Sequence, residues 1–154
     1  MVRLEIAPSD WIKYVGKDLG ISDWYKVTQE EITEFGKVTG DMQWIHVDPT
    51  RAKEKSPYKG TVAHGNWLIS ISHSKLFLQI YQPIKTSMVI NYGWNKIRFP
   101  APTPVGKRIR LQASVNKVDE VEKGAYQVEF DFKIYVEGEN KPCFAALKLT
   151  RYYS

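Results

Sequence analysis

A carboxylate and an imidazole stand close together in an apolar stretch of this chain. Asp41 and His46 are separated by five positions, and their neighbours Trp44, Ile45 and Val47 are apolar. A carboxylate and an imidazole at this spacing can both touch one water, remove its proton and return a proton to a substrate. Histidine suits this work because its unperturbed pKa lies closest to neutrality. These two residues therefore predict acid–base chemistry on a bound water.

A second segment, residues 61–65, immediately precedes a long apolar run and ends in His64 and Gly65. Free backbone amides at the start of a helix, aided by the helix dipole, can hold an oxyanion. Glycine lets a carbonyl group approach the backbone closely because it has no side chain. We therefore predict that Gly65 binds a substrate carbonyl, with His64 beside it.

Other interpretations of the same residues remain open at this point. Asp41 can be an ordinary loop residue whose side chain bonds its own backbone. His46 can be purely structural, and Asp48 is expected to cap a helix. The three histidines, which include His64 and His73, also provide the ligand types of a 2-His-1-carboxylate metal site. Their spacing matches none of the strong helical metal motifs. We predict that no metal binds here.

The helix before Asp41 is expected to set the position of that residue. Thr28 and Glu31 have the spacing of a capping box, in which each side chain binds the backbone amide of the other. Gly40 tolerates left-handed backbone and is expected to end the helix. The predicted apolar face consists of Ile32, Phe35 and Val38.

Two more helices are predicted around the second segment. Asp48 and Pro49 are a typical N-cap and first helical residue, and the next proline, Pro57 after Ser56, is expected to end that short helix. The long run from residue 66 to residue 81 is apolar on most sides. A helix of that composition is predicted to be buried.

The pattern changes after residue 83 from helical periodicity to strict alternation. Apolar residues alternate with polar ones over 109–115 and 126–136, and residues 137–140 form a turn before a last strand at 143–152. One long helix followed by antiparallel strands predicts an α+β fold. Residues 1–25 are expected to be an irregular N-terminal extension, anchored by Trp11 and Trp24.

Length and charge limit the class of protein. A chain of 154 residues suits a single domain, and the lone Cys143 cannot form an internal disulfide. The net charge is +5, but the densest basic group, residues 107–110, lies on an alternating strand, so we expect no nucleic-acid partner. With neither a signal peptide nor a membrane-spanning run in the sequence, a cytoplasmic location is expected and no membrane partner.

The two segments together resemble a known family signature. Gly40-Asp41, Ile45-His46 and Asp48, followed by residues 60–65 (GTVAHG), resemble the MaoC-like, R-specific enoyl-CoA hydratases. Residues 91–99 and 102–106 are similar to its nodulation protein N-like branch, and the resemblance extends over about residues 25–152. It implies a hot-dog fold, a catalytic dyad of Asp41 and His46, and a thioester carbonyl bound by the Gly65 amide. It also implies a homodimer, or a larger homo-oligomer, with active sites near the subunit interface.

The substrate-binding residues depart from the family pattern. Gln43 and Trp44 stand where the family commonly has Asn-Pro, and His73 stands where a hydroxyl residue is often found in the central helix. The resemblance implies reversible hydration of trans-2-enoyl thioesters to (R)-3-hydroxyacyl thioesters, carried by coenzyme A or acyl carrier protein, without a metal or an organic cofactor. Thioester hydrolysis and non-catalytic binding of acyl thioesters are the alternatives, because hot-dog scaffolds host several functions.

Overall fold

The N-terminal part of the chain contains short regular elements. The computed structural model describes residues 2–154, and the prediction for Met1 lies outside this range. The elements are strand β1 (Leu4–Ile6), a 3-10 helix (Pro8–Tyr14), β2 (Asp18–Ile21) and β3 (Tyr25–Lys26). The prediction that the N-terminal extension is irregular was wrong. Its strands pair with distant segments, β1 with residues 81–83 and β2 with residues 112–114. Local periodicity carries no trace of such pairing.

Helix α1 (Gln29–Thr39) follows, and its start is set as predicted. The Thr28 hydroxyl accepts a hydrogen bond from the Glu31 amide at 3.3 Å. The Glu31 carboxylate does not return to the Thr28 amide, however; it accepts hydrogen bonds from the Tyr25 hydroxyl at 2.7 Å and the Lys75 ammonium at 2.6 Å. Only half of the predicted capping box therefore forms, because a tertiary partner takes the carboxylate.

The buried face of α1 is shorter than its sequence pattern indicates. Ile32 is fully buried, Phe35 packs partly against the core, and Val38 is 86% exposed. The prediction for Val38 was wrong because the last turn of α1 extends past the core. Gly40 ends the helix in the left-handed conformation, at φ 79°, as predicted.

Two short helices come next, α2 (Trp44–Val47) and α3 (Pro49–Lys55). Helix α3 has the predicted N-cap, since the Asp48 carboxylate accepts a hydrogen bond from the Arg51 amide at 3.0 Å. It ends at Ser56, also as predicted. Helix α2 was not predicted, because a single turn is too short to produce a periodic pattern.

The long helix of residues 65–80 consists of α4 (Gly65–Ile71), a π-helical turn (Ser72–Leu76) and α5 (Phe77–Ile80). It is buried as predicted, but it ends one residue before Tyr81, which begins a strand. The Ser70, Ser72 and Ser74 hydroxyls donate to backbone carbonyls three or four residues earlier. Such bonds disturb regular helical geometry, and Ser72 and Ser74 belong to the π-helical turn itself.

Five further strands complete the fold: β4 (Tyr81–Pro83), β5 (Met88–Arg98), β6 (Arg108–Glu122), β7 (Ala125–Val136) and β8 (Phe144–Tyr153). The main sheet has the order β2-β6-β7-β8-β5, with β3 also paired to β6, and its pairings are antiparallel. Strand β5 was not predicted because it is an edge strand whose register shifts twice, which erases the alternation.

The long helix packs on the inner face of the sheet. Phe77 meets Phe130 and Phe132 with ring centroids 4.9 Å apart, and Trp11 closes the same core as the predicted anchor. Trp24 was expected to be a second anchor but stays half-buried beneath the Arg110 guanidinium, 4.4 Å from its ring. The α+β prediction is confirmed. None of the helices in residues 2–154 combines the length and the apolarity needed to cross a bilayer.

Candidate active site

The loop that carries Asp41 is held against α1 by a close backbone contact. A Cβ atom added to Gly36 would lie 2.9 Å from the Asp41 carbonyl oxygen and 3.1 Å from the Met42 sulfur. Because real Cβ atoms do not approach a backbone oxygen so closely, Gly36 is required for the present position of the loop. Sequence reasoning missed this residue, since a glycine inside a helical pattern does not reveal what packs against it.

The tautomer of His46 is set by its surroundings. The side chain is buried, and its Nδ1 lies 2.7 Å from the Val62 carbonyl oxygen. A carbonyl oxygen can only accept, so Nδ1 carries the proton and Nε2 carries the lone pair. Nε2 is therefore the nitrogen that is free to accept a proton from another molecule.

The ring of His64 stacks on that of His46. The ring centroids are 3.9 Å apart and the planes meet at 27°. His64 Nε2 lies 2.9 Å from the backbone carbonyl oxygen of Asp41, so it donates a hydrogen bond that ties this loop to the second segment. The buried Nδ1 of His64 has no hydrogen-bond partner within residues 2–154. His64 thus positions both members of the predicted dyad.

The three polar side chains converge on one small region. A carboxylate oxygen of Asp41 and ring nitrogens of His46 and His64 lie within 4.8 Å of one another. Two hydrogen bonds of about 2.8 Å that meet at the tetrahedral angle of a water span about 4.6 Å. The spacing therefore matches two acceptors that share one water.

This same cluster has the residue types of a metal site, and its geometry bears on that alternative. Imidazole lone pairs lie in the ring plane, and the rings of His46 and His64 are stacked with their centroids 3.9 Å apart and their planes at only 27° to each other, so the lone pairs lie in two separate layers. His46 Nδ1 and His64 Nε2 are already bonded to backbone carbonyls. Ligands of one ion must instead point toward a common centre. The stacked arrangement disfavours a metal, and a metal-free site stays a prediction.

A cavity of about 360 Å³ adjoins His46 and the start of the long helix. Its walls are mostly apolar, with His46 and Gly65 contributing polar groups. The remaining lining residues are Ile45, Tyr58, Val62, Ala63, Leu68, Phe99, Pro100, Ala101, Pro102, Thr103 and Cys143. An apolar cavity with a few polar groups at one end suits an apolar ligand with a polar reacting group.

Gly65 lies at the first turn of α4, where backbone amides lack helical partners. A Cβ atom added to Gly65 would lie 2.8 Å from the ring of Phe99. The space that glycine leaves at its α-carbon is therefore used by an aromatic ring of the cavity wall. The Gly65 amide is predicted to donate a hydrogen bond to the substrate carbonyl, and this role stays a prediction.

One side chain joins the two segments and was missed from the sequence. Gln29 Nε2 donates to the His46 carbonyl oxygen at 2.7 Å, and Gln29 Oε1 accepts from the Thr61 hydroxyl at 2.6 Å. The first turn of α1 is thus bonded to both halves of the site. No periodicity or motif indicates it, because the contact spans 32 residues from Gln29 to Thr61.

Gln43 and His73 were expected to bind substrate, but neither lines the cavity at His46. The Gln43 side chain is exposed at the start of α2, and Trp44 is half-buried against Arg51. His73 lines a different cavity, farther along the long helix. The residues that the structure brings together are therefore Asp41, His46, His64 and Gly65.

The protonation of His46 gives a first testable prediction. Burial lowers the pKa of His46 and the neighbouring His64 lowers it further, whereas the Val62 carbonyl and the Asp41 carboxylate act in the opposite direction. We expect the His46 ring resonances to titrate with a midpoint below pH 6.5 in an NMR experiment. Asp41→Asn should move the midpoint lower still, because it removes a nearby negative charge.

The control for this experiment is in the same spectrum. His73 faces another cavity, and burial and Lys148 lower its pKa without a contribution from Asp41. Its midpoint should stay unchanged in Asp41→Asn. A His46 midpoint at or above pH 6.5 would contradict the lowering of its pKa by burial. A midpoint that does not change in Asp41→Asn would contradict the effect of the Asp41 charge.

Comparisons with known proteins show the family and the fold of this chain. Residues 12–132 match the family described as MaoC like domain. The 3-hydroxyacyl-thioester dehydratase Z of Mycobacterium tuberculosis is 41% identical over 144 residues, 94% of each chain. Nodulation protein N of Rhizobium meliloti is 32% identical over 142 residues, 92% of this chain and 88% of that protein. The solved structure of a monoamine oxidase regulatory protein from Archaeoglobus fulgius, at 20% identity, covers 100% of this chain and 98% of its own with a TM-score of 0.79.

Proposed function

The chain belongs to the MaoC-like domain family and has its hot-dog fold, and we propose that it catalyses the reversible hydration of trans-2-enoyl thioesters to (R)-3-hydroxyacyl thioesters. It is an enzyme of the hydratase and dehydratase class, as is the relative that shares 41% of its residues. The observation that carries the specific reaction is the proximity of a His46 ring nitrogen to the Asp41 carboxylate, within a distance that one shared water can span.

The substrate carbonyl is held first. The thioester oxygen accepts a hydrogen bond from the Gly65 amide at the start of α4, where the helix dipole favours negative charge. This interaction withdraws electron density from the double bond and makes the β-carbon electrophilic. The apolar wall of the 360 Å³ cavity receives the acyl group and excludes bulk water.

Water then adds across the double bond. Neutral His46 accepts a proton from the water at Nε2 while the water oxygen forms a bond to the β-carbon, and the π electrons move through the α-carbon to the thioester oxygen. The imidazolium returns that proton to the α-carbon, and the carbonyl re-forms. One water is consumed, and His46 ends in its original state.

Asp41 orients the water and stabilises the imidazolium that forms on His46. The assignment of the base to His46 follows from its tautomer, because the proton on Nδ1 leaves Nε2 as an acceptor. The lowered pKa of His46 keeps this nitrogen unprotonated near neutral pH. Dehydration uses the same groups in reverse.

Several related features belong to the same proposal. The carrier is coenzyme A or acyl carrier protein, since the net charge of +5 favours an anionic partner. The enzyme works in the cytoplasm as a homodimer or a larger homo-oligomer, without a metal or an organic cofactor. Strand β5 is the edge strand next to β8, and its residues Met88, Val89 and Ile90 are exposed, which supports self-association.

The test is an absorbance assay at the enoyl-thioester band with crotonyl-CoA and longer trans-2-enoyl-CoAs. We expect the band to disappear without release of free thiol, measured with a thiol reagent, and the product to be the R isomer. Thiol release in step with loss of the band would replace the proposal with thioester hydrolysis. Saturable binding without any turnover at any chain length would indicate a binding protein instead.

A further inference from the structure

A second cavity, of about 150 Å³, lies between the long helix and strands β5 and β8. Its lining combines apolar and polar groups. The lining residues are His73, Phe77, Tyr81, Val89, Asn91, Lys148, Thr150 and Tyr152. No acidic side chain is among them, so the cavity has a positive character.

Lys148 supplies this charge from an unusual place. It occupies an inward position of β8, between the buried Ala146 and Thr150, where an apolar residue is expected, and it is only 2% exposed. Its ammonium group forms no ion pair with any carboxylate of residues 2–154; it donates to the Asn91 side-chain oxygen and, at 3.4 Å, to the Leu149 carbonyl. A buried ammonium without a counter-charge is costly to maintain.

The surroundings of Lys148 leave donors available to a ligand. An ammonium group has three protons, and two have protein acceptors, while the Trp94 ring lies 4.6 Å from Nζ. Asn91 uses its oxygen for Lys148, which leaves its amide protons free of partners within residues 2–154. Burial lowers the pKa of Lys148 to about 8, so the group remains charged at neutral pH.

We propose that this cavity binds a carboxylate, held by the Lys148 ammonium and the Asn91 side-chain amide. The carboxylate has two sources in principle, the far end of an ω-carboxyacyl thioester in the active site or a free small carboxylic acid. Either supplies the missing counter-charge. The tyrosine pair Tyr81 and Tyr152, whose hydroxyl oxygens are 2.9 Å apart, adds a polar wall.

The acyl group is the source that fits the position of the cavity, and this choice rests on the proposed function. His73 lies eight residues after Gly65, which corresponds to about 12 Å along a helix. An acyl chain with roughly ten carbon–carbon bonds covers that distance. A series of contacting aromatic rings joins the walls of the two cavities, from Phe99 through Phe144 and Trp94 to His73.

The first arm of the test measures binding without catalysis. Thermal unfolding of the wild type is followed with adipate and with chloride at equal ionic strength. We expect adipate to raise Tm in the wild type and to leave Tm of Lys148→Met unchanged. Lys133→Met, which removes a lysine from the exposed face of the same sheet, should respond like the wild type. Because no turnover is involved, this arm stands even if the proposed reaction is wrong.

The second arm compares trans-2-enoyl-CoAs of equal length with and without an ω-carboxylate. In the wild type we expect the ω-carboxylate to raise kcat/KM, and Lys148→Met to reduce this preference by about tenfold or more, with activity on crotonyl-CoA retained. Loss of the preference in this arm assigns the carboxylate to the substrate, and an adipate effect alone assigns it to a free acid. Lys148→Met that matches the wild type in both arms would overturn the proposal.

Discussion

Replacement of His46 by glutamine is expected to reduce kcat/KM for crotonyl-CoA by about 10²–10⁴-fold, the usual contribution of general acid–base catalysis. Glutamine can still donate a hydrogen bond to the Val62 carbonyl, so the local fold is maintained, but it cannot accept and return a proton. Asp41→Asn is expected to cause a loss in the same range, because the amide no longer stabilises an imidazolium. The double variant should lose little more than either single variant, since the two side chains act on one water.

The Asp41→Asn variant has a close control in the same loop region. Asp48→Asn makes the identical chemical change seven positions later, where the side chain caps α3 and asparagine caps as well as aspartate. Asp48→Asn should keep wild-type kinetics. Steady-state rates, with circular dichroism to confirm folding, measure all four variants. Wild-type rates in Asp41→Asn or His46→Gln would rule out the proposed dyad.

Gly36→Ala is expected to have the second largest effect, although Gly36 contacts no substrate. The added methyl group would lie 2.9 Å from the Asp41 carbonyl oxygen, which is a backbone atom, and 3.1 Å and 3.3 Å from side-chain atoms of Met42 and Val47. Either the loop shifts or α1 does, at a cost of about 1–3 kcal/mol in the free energy of unfolding. A displacement of Asp41 by about 1 Å is enough to reduce kcat about 100-fold. Urea unfolding and steady-state kinetics measure the two effects.

Gly60→Ala is the matched control for this substitution. A Cβ atom added at Gly60 meets nothing within 4 Å, and Gly60 belongs to the second half of the same motif. We expect wild-type stability and rates from it. If Gly36→Ala behaved like Gly60→Ala, the contact between α1 and the loop would have no role in placing the dyad.

The sequence by itself determined the features that depend on local pattern. Alternation predicted the buried inner faces of β6 and β7, because neighbouring side chains on a strand must point to opposite sides. The N-caps at Thr28 and Asp48 and the left-handed stop at Gly40 were also readable, since each depends on a few adjacent residues. The two segments with Asp41, His46 and Gly65 were recognisable because their residue types are chemically distinctive.

Only the tertiary structure decided which residues meet. Gln29 bridges the two segments, Gly36 supports the dyad loop, and His64 stacks on His46, yet none of these contacts leaves a periodic signal. Lys148 is the clearest example. The alternating pattern of β8 places it on the inward face, but only the fold shows that its ammonium has no carboxylate partner among residues 2–154. Contacts between distant segments depend on how the helices pack on the sheet, and that packing is a property of the whole chain rather than of any window of it.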